Sequence, residues 1–343
     1  MQRSLDYFRT IAAELFTTHS PSGYTADAIA VIGKHLAELG YTYTTTHKGN
    51  LLVTLEGKDA SQTVATSAHV DTLGLMVRSI HSDGTLALTN VGGPIIATLD
   101  GEYCIVRTRQ GKSYTGTILS NAPAAHVYPD ATTKKRDIDS ILVRLDEKVS
   151  DSDQVKALGI DHGDYVFIDP KFTITPSGFL KSRFIDDKGS ACLLMALLEE
   201  IARKKILLKH RTQFIFVVHE EVGHGASTLD AQVSEFVTVD MGCIGLDLAG
   251  NEYAVSIAAK DSGGPYDYEL TSRLIQLAQE EKLPYAVDIF PFYGSDIGAA
   301  WRAGRDFKGA LIGPGVHASH GMERTHLEAI DATMSLLLAY LTK

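Results

Sequence analysis

The sequence predicts an α/β protein, a mostly parallel mixed sheet sandwiched by helices, with a small all-β domain inserted into it. Two observations predict this. Strand-length apolar runs alternate with helix-period segments towards both ends of the chain, and the stretch between them holds short β-type runs, punctuated by Gly, Pro, Asp and Asn, without a helix of normal length. The expected organisation is a discontinuous α/β domain, residues 1–73 and 177–343, carrying residues 74–176 as the insertion.

Leu5, Phe8, Ile11, Ala12 and Leu15 recur at helical intervals, interrupted by Asp6, Arg9 and Glu14, so the first segment reads as a helix and not as a signal peptide. Thr25 is placed to cap a second helix with Ile29, Ile32, Leu36 and Leu39 as its buried stripe and Gly40 as its stop. Tyr41–Thr46 and Leu51–Leu55 read as a hairpin, and Val64–Ala68 as a buried strand ending at His69. Beyond the insertion come a helix at Ser190–Arg203, strands at Gln213–Val218 and Cys243–Leu246, and a helix at Glu269–Lys282. A strand at Tyr285–Ile289, a short helix at Asp296–Ala303, a strand at Ala310–Ile312 and a closing helix at His326–Leu341 complete the order.

Composition excludes several function classes. At 343 residues, with 44% apolar and 22% charged, the chain is an ordinary globule near the upper size for one core. It has no apolar run of the roughly eighteen residues that a spanning helix needs, so no membrane role is expected. Lys and Arg total 32 against 42 for Asp and Glu, and a net charge of −10 argues against a nucleic-acid partner. Cys104, Cys192 and Cys243 are scattered singly, which suggests neither a disulfide framework nor a thiolate zinc site and fits a cytoplasmic protein.

Chemistry in open α/β sheets collects past the carboxyl ends of the strands. There the chain places His69-Val70-Asp71, then His219-Glu220-Glu221, then Asp247, and finally the loop from Gly313 to His320; Asp186-Asp187 stand where the insertion returns. Mixed imidazole and carboxylate ligands suit divalent zinc or cobalt, and manganese is a third candidate. Two ions need a carboxylate that bridges them. Neighbouring residues such as Glu220 and Glu221 reach one site only where the backbone leaves regular geometry, which Gly223 and Gly225 allow; one acid then binds metal and the other accepts a proton. HEEVGH is not a helical H-E-x-x-H, because His219 and His224 are five apart, roughly 140° around a helix. Gly313-Pro314-Gly315 is too short for a phosphate or dinucleotide loop.

In order, HSPSGYT, AHVDTLGLMV, LGIDHGDYV, FIDDKGSA, HEEVGHGAS, GLDLAG, GSDIGAA and HASHGMERTH make the chain resemble the M42 metallo-aminopeptidases over nearly its whole length. The resemblance implies a zinc-peptidase-like α/β domain with a PDZ-like insertion, peptide substrates, two divalent ions per subunit, and homo-oligomers from dimers to dodecamers. It implies that His69, Asp186 and Asp247 hold one ion and Asp186, Glu221 and His320 the other, with Glu220 as general base and Asp71 orienting His69. Asp187 is then an orienting neighbour, and His320 is preferred over His317 because it stands closer to Met-Glu-Arg. Lys188 stands where the family usually has Arg, and His219 where it often has Gln. An acidic first substrate residue would need a cation, for which Lys260 and Arg324 are the sequence candidates. The competing readings are a dimetal deacylase acting on N-acylated small molecules and a noncatalytic assembly protein retaining the fold; an unliganded Glu220 weighs against the latter.

Overall fold

The computed structural model describes residues 2–343. The described residues form two compact units, one up to residue 72 together with 171–343, and the other residues 73–170. The return junction lies before the expected 176/177 because Thr173–Ile174 already pairs with Phe179–Ser182, which pairs in turn with Glu323–His326.

The larger unit is built on strands β1 (Leu51–Leu55), β2 (Gly57–His69), β3 (Leu208–Val217), β4 (Val233–Val239), β5 (Val255–Asp261) and β6 (Lys308–Val316). Their spatial order is β1-β3-β2-β4-β6-β5. The inner four are mutually parallel, while β1 and β5 flank them antiparallel. Val64 to His69 and Thr212 to Val217 are buried without alternation, as strands covered on both faces must be.

The helices of this unit are α1 (Gln2–Leu15), α2 (Ala26–Glu38), α3 (Ile185–Lys204), α4 (Tyr268–Glu280), α5 (Asp296–Arg302) and α6 (Leu327–Thr342). In α1 the stripe Phe8, Ile11, Ala12 and Leu15 is buried, as its spacing requires. Helix α3 is buried on every side from Ile185 to Ile201 and packs against α1, β2 and α6. Thr25 occupies the N-cap of α2, but its side chain makes no capping bond.

One expected strand is corrected. Cys243–Leu246 is not a central strand: only Gly242–Cys243 pairs briefly with β6, and the chain then turns at Gly245 and Leu246, both at positive φ. The central position belongs to β4, and β5 is a second strand that the sequence reading passed over.

The smaller unit is a closed barrel of six strands. In order around it run Gly74–Ile80, Leu86–Val91, Ile141–Leu145, Ser113–Ser120, Tyr103–Arg107 and Tyr165–Ile168. Val77, Leu88, Val106, Ile118 and Val143 are among its buried residues, and closure leaves no open sheet edge. Among the described residues no helix is long and apolar enough to cross a membrane.

Candidate metal centre

The four parallel strands end side by side, and each ends in a residue that can bind a cation. Strand β2 delivers His69 and Asp71, β3 leads into Glu220 and Glu221, β4 is followed by Asp240, and the loop after β6 carries His320. Asp186 and Asp187 enter from the start of α3, where neither has helical backbone angles.

The contacts are close. His69 Nε2 lies 3.0 Å from Asp186 Oδ1 and 3.8 Å from Glu220 Oε2. His320 Nε2 lies 3.5 Å from the other Asp186 oxygen and 3.7 Å from Glu221 Oε2. Asp186 thus faces one histidine with each oxygen, the disposition a bridging ligand needs. Donor atoms of His69, Asp186 and Glu221 lie within 4.8 Å of one another, as do those of His69, Asp187 and Asp240. A pocket of about 230 Å³ opens over the group, lined by Asp186, Glu220, Glu221, Asp240, Tyr293 and His320 among others.

Supporting bonds fix the backbone. Asp71, fully buried, accepts the Ser22 hydroxyl at 2.6 Å and the N–H groups of Glu220 and Glu221 at 3.1 and 3.3 Å. The positive φ of His219 turns the chain out of β3 just before these acids, so both line the pocket. Glu323 accepts the N–H of Asp186 with one oxygen and that of His320 with the other, both at 2.9 Å. Gly313 is required by a close approach: a Cβ there would stand 1.4 Å from the Asp240 carbonyl oxygen.

The electrostatics call for added positive charge. Burial, reinforced by the Asp186 charge, lifts Glu221 to about 8 and Asp240 to about 7. Burial also pushes Glu220 well above the usual carboxylate range. Burial works to raise Asp186 as well, but hydrogen bonds with His320 and His69 outweigh it and hold the carboxyl below its ordinary value. These acids outnumber the histidines facing them, and the buried Glu221 Oε1 has no hydrogen-bond partner. Imidazole and carboxylate donors with an orphaned oxygen fit divalent cations.

The structure brings together His69, Asp71, Asp186, Glu220, Glu221 and His320, but not Asp247. Asp247 is exposed in the turn beyond Gly242–Cys243; Asp240, directly after β4, stands in the cluster instead. The rule that functional groups follow strand ends points here to Asp240, because β4 and not Cys243–Leu246 is the central strand. The available signal was weak: Phe236-Val237-Thr238-Val239, an aromatic and β-branched run followed by an acid. His317 is exposed, and its backbone pairs with that of Arg324. Neither proposed substrate cation lines the pocket. Lys260 is half-buried and donates to the Asp261 carbonyl, while Arg324 is held by both oxygens of Glu252 and lies over the Phe179 ring. Arg302, which the sequence reading missed, does line it.

The pattern of the M42 glutamyl aminopeptidase family matches residues 49–336. The chain belongs to the M42 peptidase family. M42 members are metal-dependent aminopeptidases, which makes this M42 protein a hydrolase. It is 44% identical over 328 residues, 95% of each chain, to a Bacillus subtilis (strain 168) protein named "Putative aminopeptidase YhfE". Among solved structures, the TET aminopeptidase from the marine sediment archaeon Thaumarchaeota archaeon SCGC AB-539-E09 matches with a TM-score of 0.88 at 18% identity, covering 99% of this chain and 97% of that one. The TET1 peptidase of Pyrococcus horikoshii matches with a TM-score of 0.85 at 19% identity, covering 98% and 99%. At these identities the structural likeness establishes the mixed α/β fold of this M42 chain.

Proposed function

We propose that this M42 protein removes the N-terminal residue of peptides at a two-metal centre. In this reading His69, Asp186 and Asp240 hold one ion and Asp186, Glu221 and His320 the other, zinc or cobalt suiting the donors best. When bound, such ions polarise the scissile carbonyl and make water nucleophilic near neutral pH.

The chain's own groups divide the remaining work. The Glu220 carboxylate takes a proton from the attacking water and returns it to the leaving amine. Asp71 positions Glu220 through its backbone N–H and steadies His69, whose Nδ1 lies 2.9 Å from the Asp71 carbonyl oxygen. Asp187 accepts the His69 N–H at 3.1 Å and so orients that segment without facing the pocket. An acidic side chain on the first substrate residue would meet Arg302, not Lys260 or Arg324.

The observation that carries this reading is the convergence of ligand-type residues from four adjacent parallel strand ends. Glu220→Gln tests it. The amide keeps the shape but cannot take the proton, so turnover on aminoacyl chromogenic substrates falls by orders of magnitude while metal content is retained. Unchanged turnover would remove Glu220 from the mechanism. Assembly into homo-oligomers is part of the proposal, supported by the likeness to a TET1 peptidase described as forming a tetrahedron or an octahedral shell. Light scattering that gives the mass of a single chain would reject it.

A further inference from the structure

A second cavity of about 510 Å³ lies beside the segment that carries Glu220 and Glu221. The two share consecutive residues: His219 lines this one, and Glu220 and Glu221 line the other. Nothing in the metal chemistry uses this space.

Its lining is built for an anion. The first turn of α2 opens into it, and among the described residues no acceptor takes the N–H of Ala26, Asp27 or Ala28. Thr25 lines the cavity at 8% exposure; its hydroxyl does not cap the helix and, among the described residues, bonds no other group. Lys48 reaches in from the β1 side, and its ammonium is bonded only to neutral acceptors, the His224 carbonyl and the Ser227 hydroxyl. Asp27 stands at the rim, exposed and screened by water.

Building on the aminopeptidase reading, we propose that this cavity receives the C-terminal carboxylate of a short peptide whose first residue lies at the acid cluster. The enzyme then prefers di- and tripeptides with free C-termini. Neighbouring Cα atoms are about 3.8 Å apart, and an extended residue spans roughly 3.3–3.6 Å, so linings that pass from one cavity to the other between His219 and Glu220 suit a substrate of this length. The Thr25 hydroxyl, the free N–H groups of α2 and the Lys48 ammonium supply hydrogen bonds that a C-terminal amide would satisfy poorly.

The test compares tripeptides X-Gly-Gly with their C-terminal amides on the metal-loaded enzyme, X being the best-hydrolysed first residue. Free acids should exceed amides in kcat/KM by about tenfold or more, mainly through KM, as one or two charge-assisted bonds imply. Thr25→Val and Lys48→Met should each bring that ratio towards one. Equal rates on acid and amide in the unmodified enzyme would overturn this inference and leave the aminopeptidase reading standing. A preference that survives both substitutions would also overturn it. Hydrolysis of neither substrate would overturn both readings.

Discussion

The backbone N–H of Glu220 donates to Asp71 Oδ1 at 3.1 Å, across 149 residues of sequence. The same carboxyl group lies 3.5 Å from His69 Nδ1, so one buried acid touches both a proposed ligand and the proposed base. Asp71→Asn should therefore disturb two functions together. Its amide nitrogen cannot accept, so one of the two N–H groups, of Glu220 or Glu221, loses its partner, and a loss of about 10–100-fold in metal affinity or kcat/KM is expected. Metal titration beside steady-state kinetics checks this; unchanged values in both would deny Asp71 a positioning role.

Glu323 makes an equivalent prediction. Its two oxygens tie the backbones of Asp186 and His320, which come from opposite ends of the larger unit's second segment. In Glu323→Gln one of the two N–H groups must face an NH₂. Metal affinity should fall about 10–100-fold with the fold retained. Calorimetric titration with zinc measures the affinity, and circular dichroism checks the fold.

Much of this was legible in the sequence. His69, Glu220 and Glu221 end apolar runs that form the sheet centre, and the insertion announced itself by losing helical period. Asp240 was less so, because β4 is interrupted by polar Ser234 and Glu235 and followed by a second, more apolar run that only grazes the sheet. Pairing with β2 and β6, which sequence pattern does not report, decides which run is central. Glu323 and Arg302 were invisible for a related reason: their roles depend on contacts between distant segments, and neither follows the carboxyl end of a strand, Glu323 opening one and Arg302 closing a helix.

Acidity couples metal to stability. Glu221 at about 8, Asp240 at about 7 and Asp296 at about 6 hold their protons to higher pH when folded than their ordinary values of 4.5, 3.8 and 3.8 allow unfolded. The stability they contribute to the metal-free protein is fully present below those ordinary values and is lost as pH rises through about 6 to 8. Bound cations replace the protons, so the gap in Tm between metal-loaded and chelator-treated protein should widen between about pH 5 and pH 8. A constant gap would contradict this coupling.

Gly313→Ala should be damaging although glycine and alanine differ by one methyl group. The added carbon would meet the Asp240 carbonyl at 1.4 Å, and relief requires moving either β6 or the residue proposed to hold metal. A destabilisation of about 1–3 kcal/mol or more is expected, read as a lower Tm by calorimetry, together with weaker metal binding.

Metal stoichiometry tests the central claim most directly. The unmodified protein should hold two divalent ions per chain by elemental analysis, Asp240→Ala should hold about one, and Asp247→Ala should still hold two. Loss of an ion on changing Asp247 but not Asp240, or a single ion in the unmodified protein, would contradict the proposed centre.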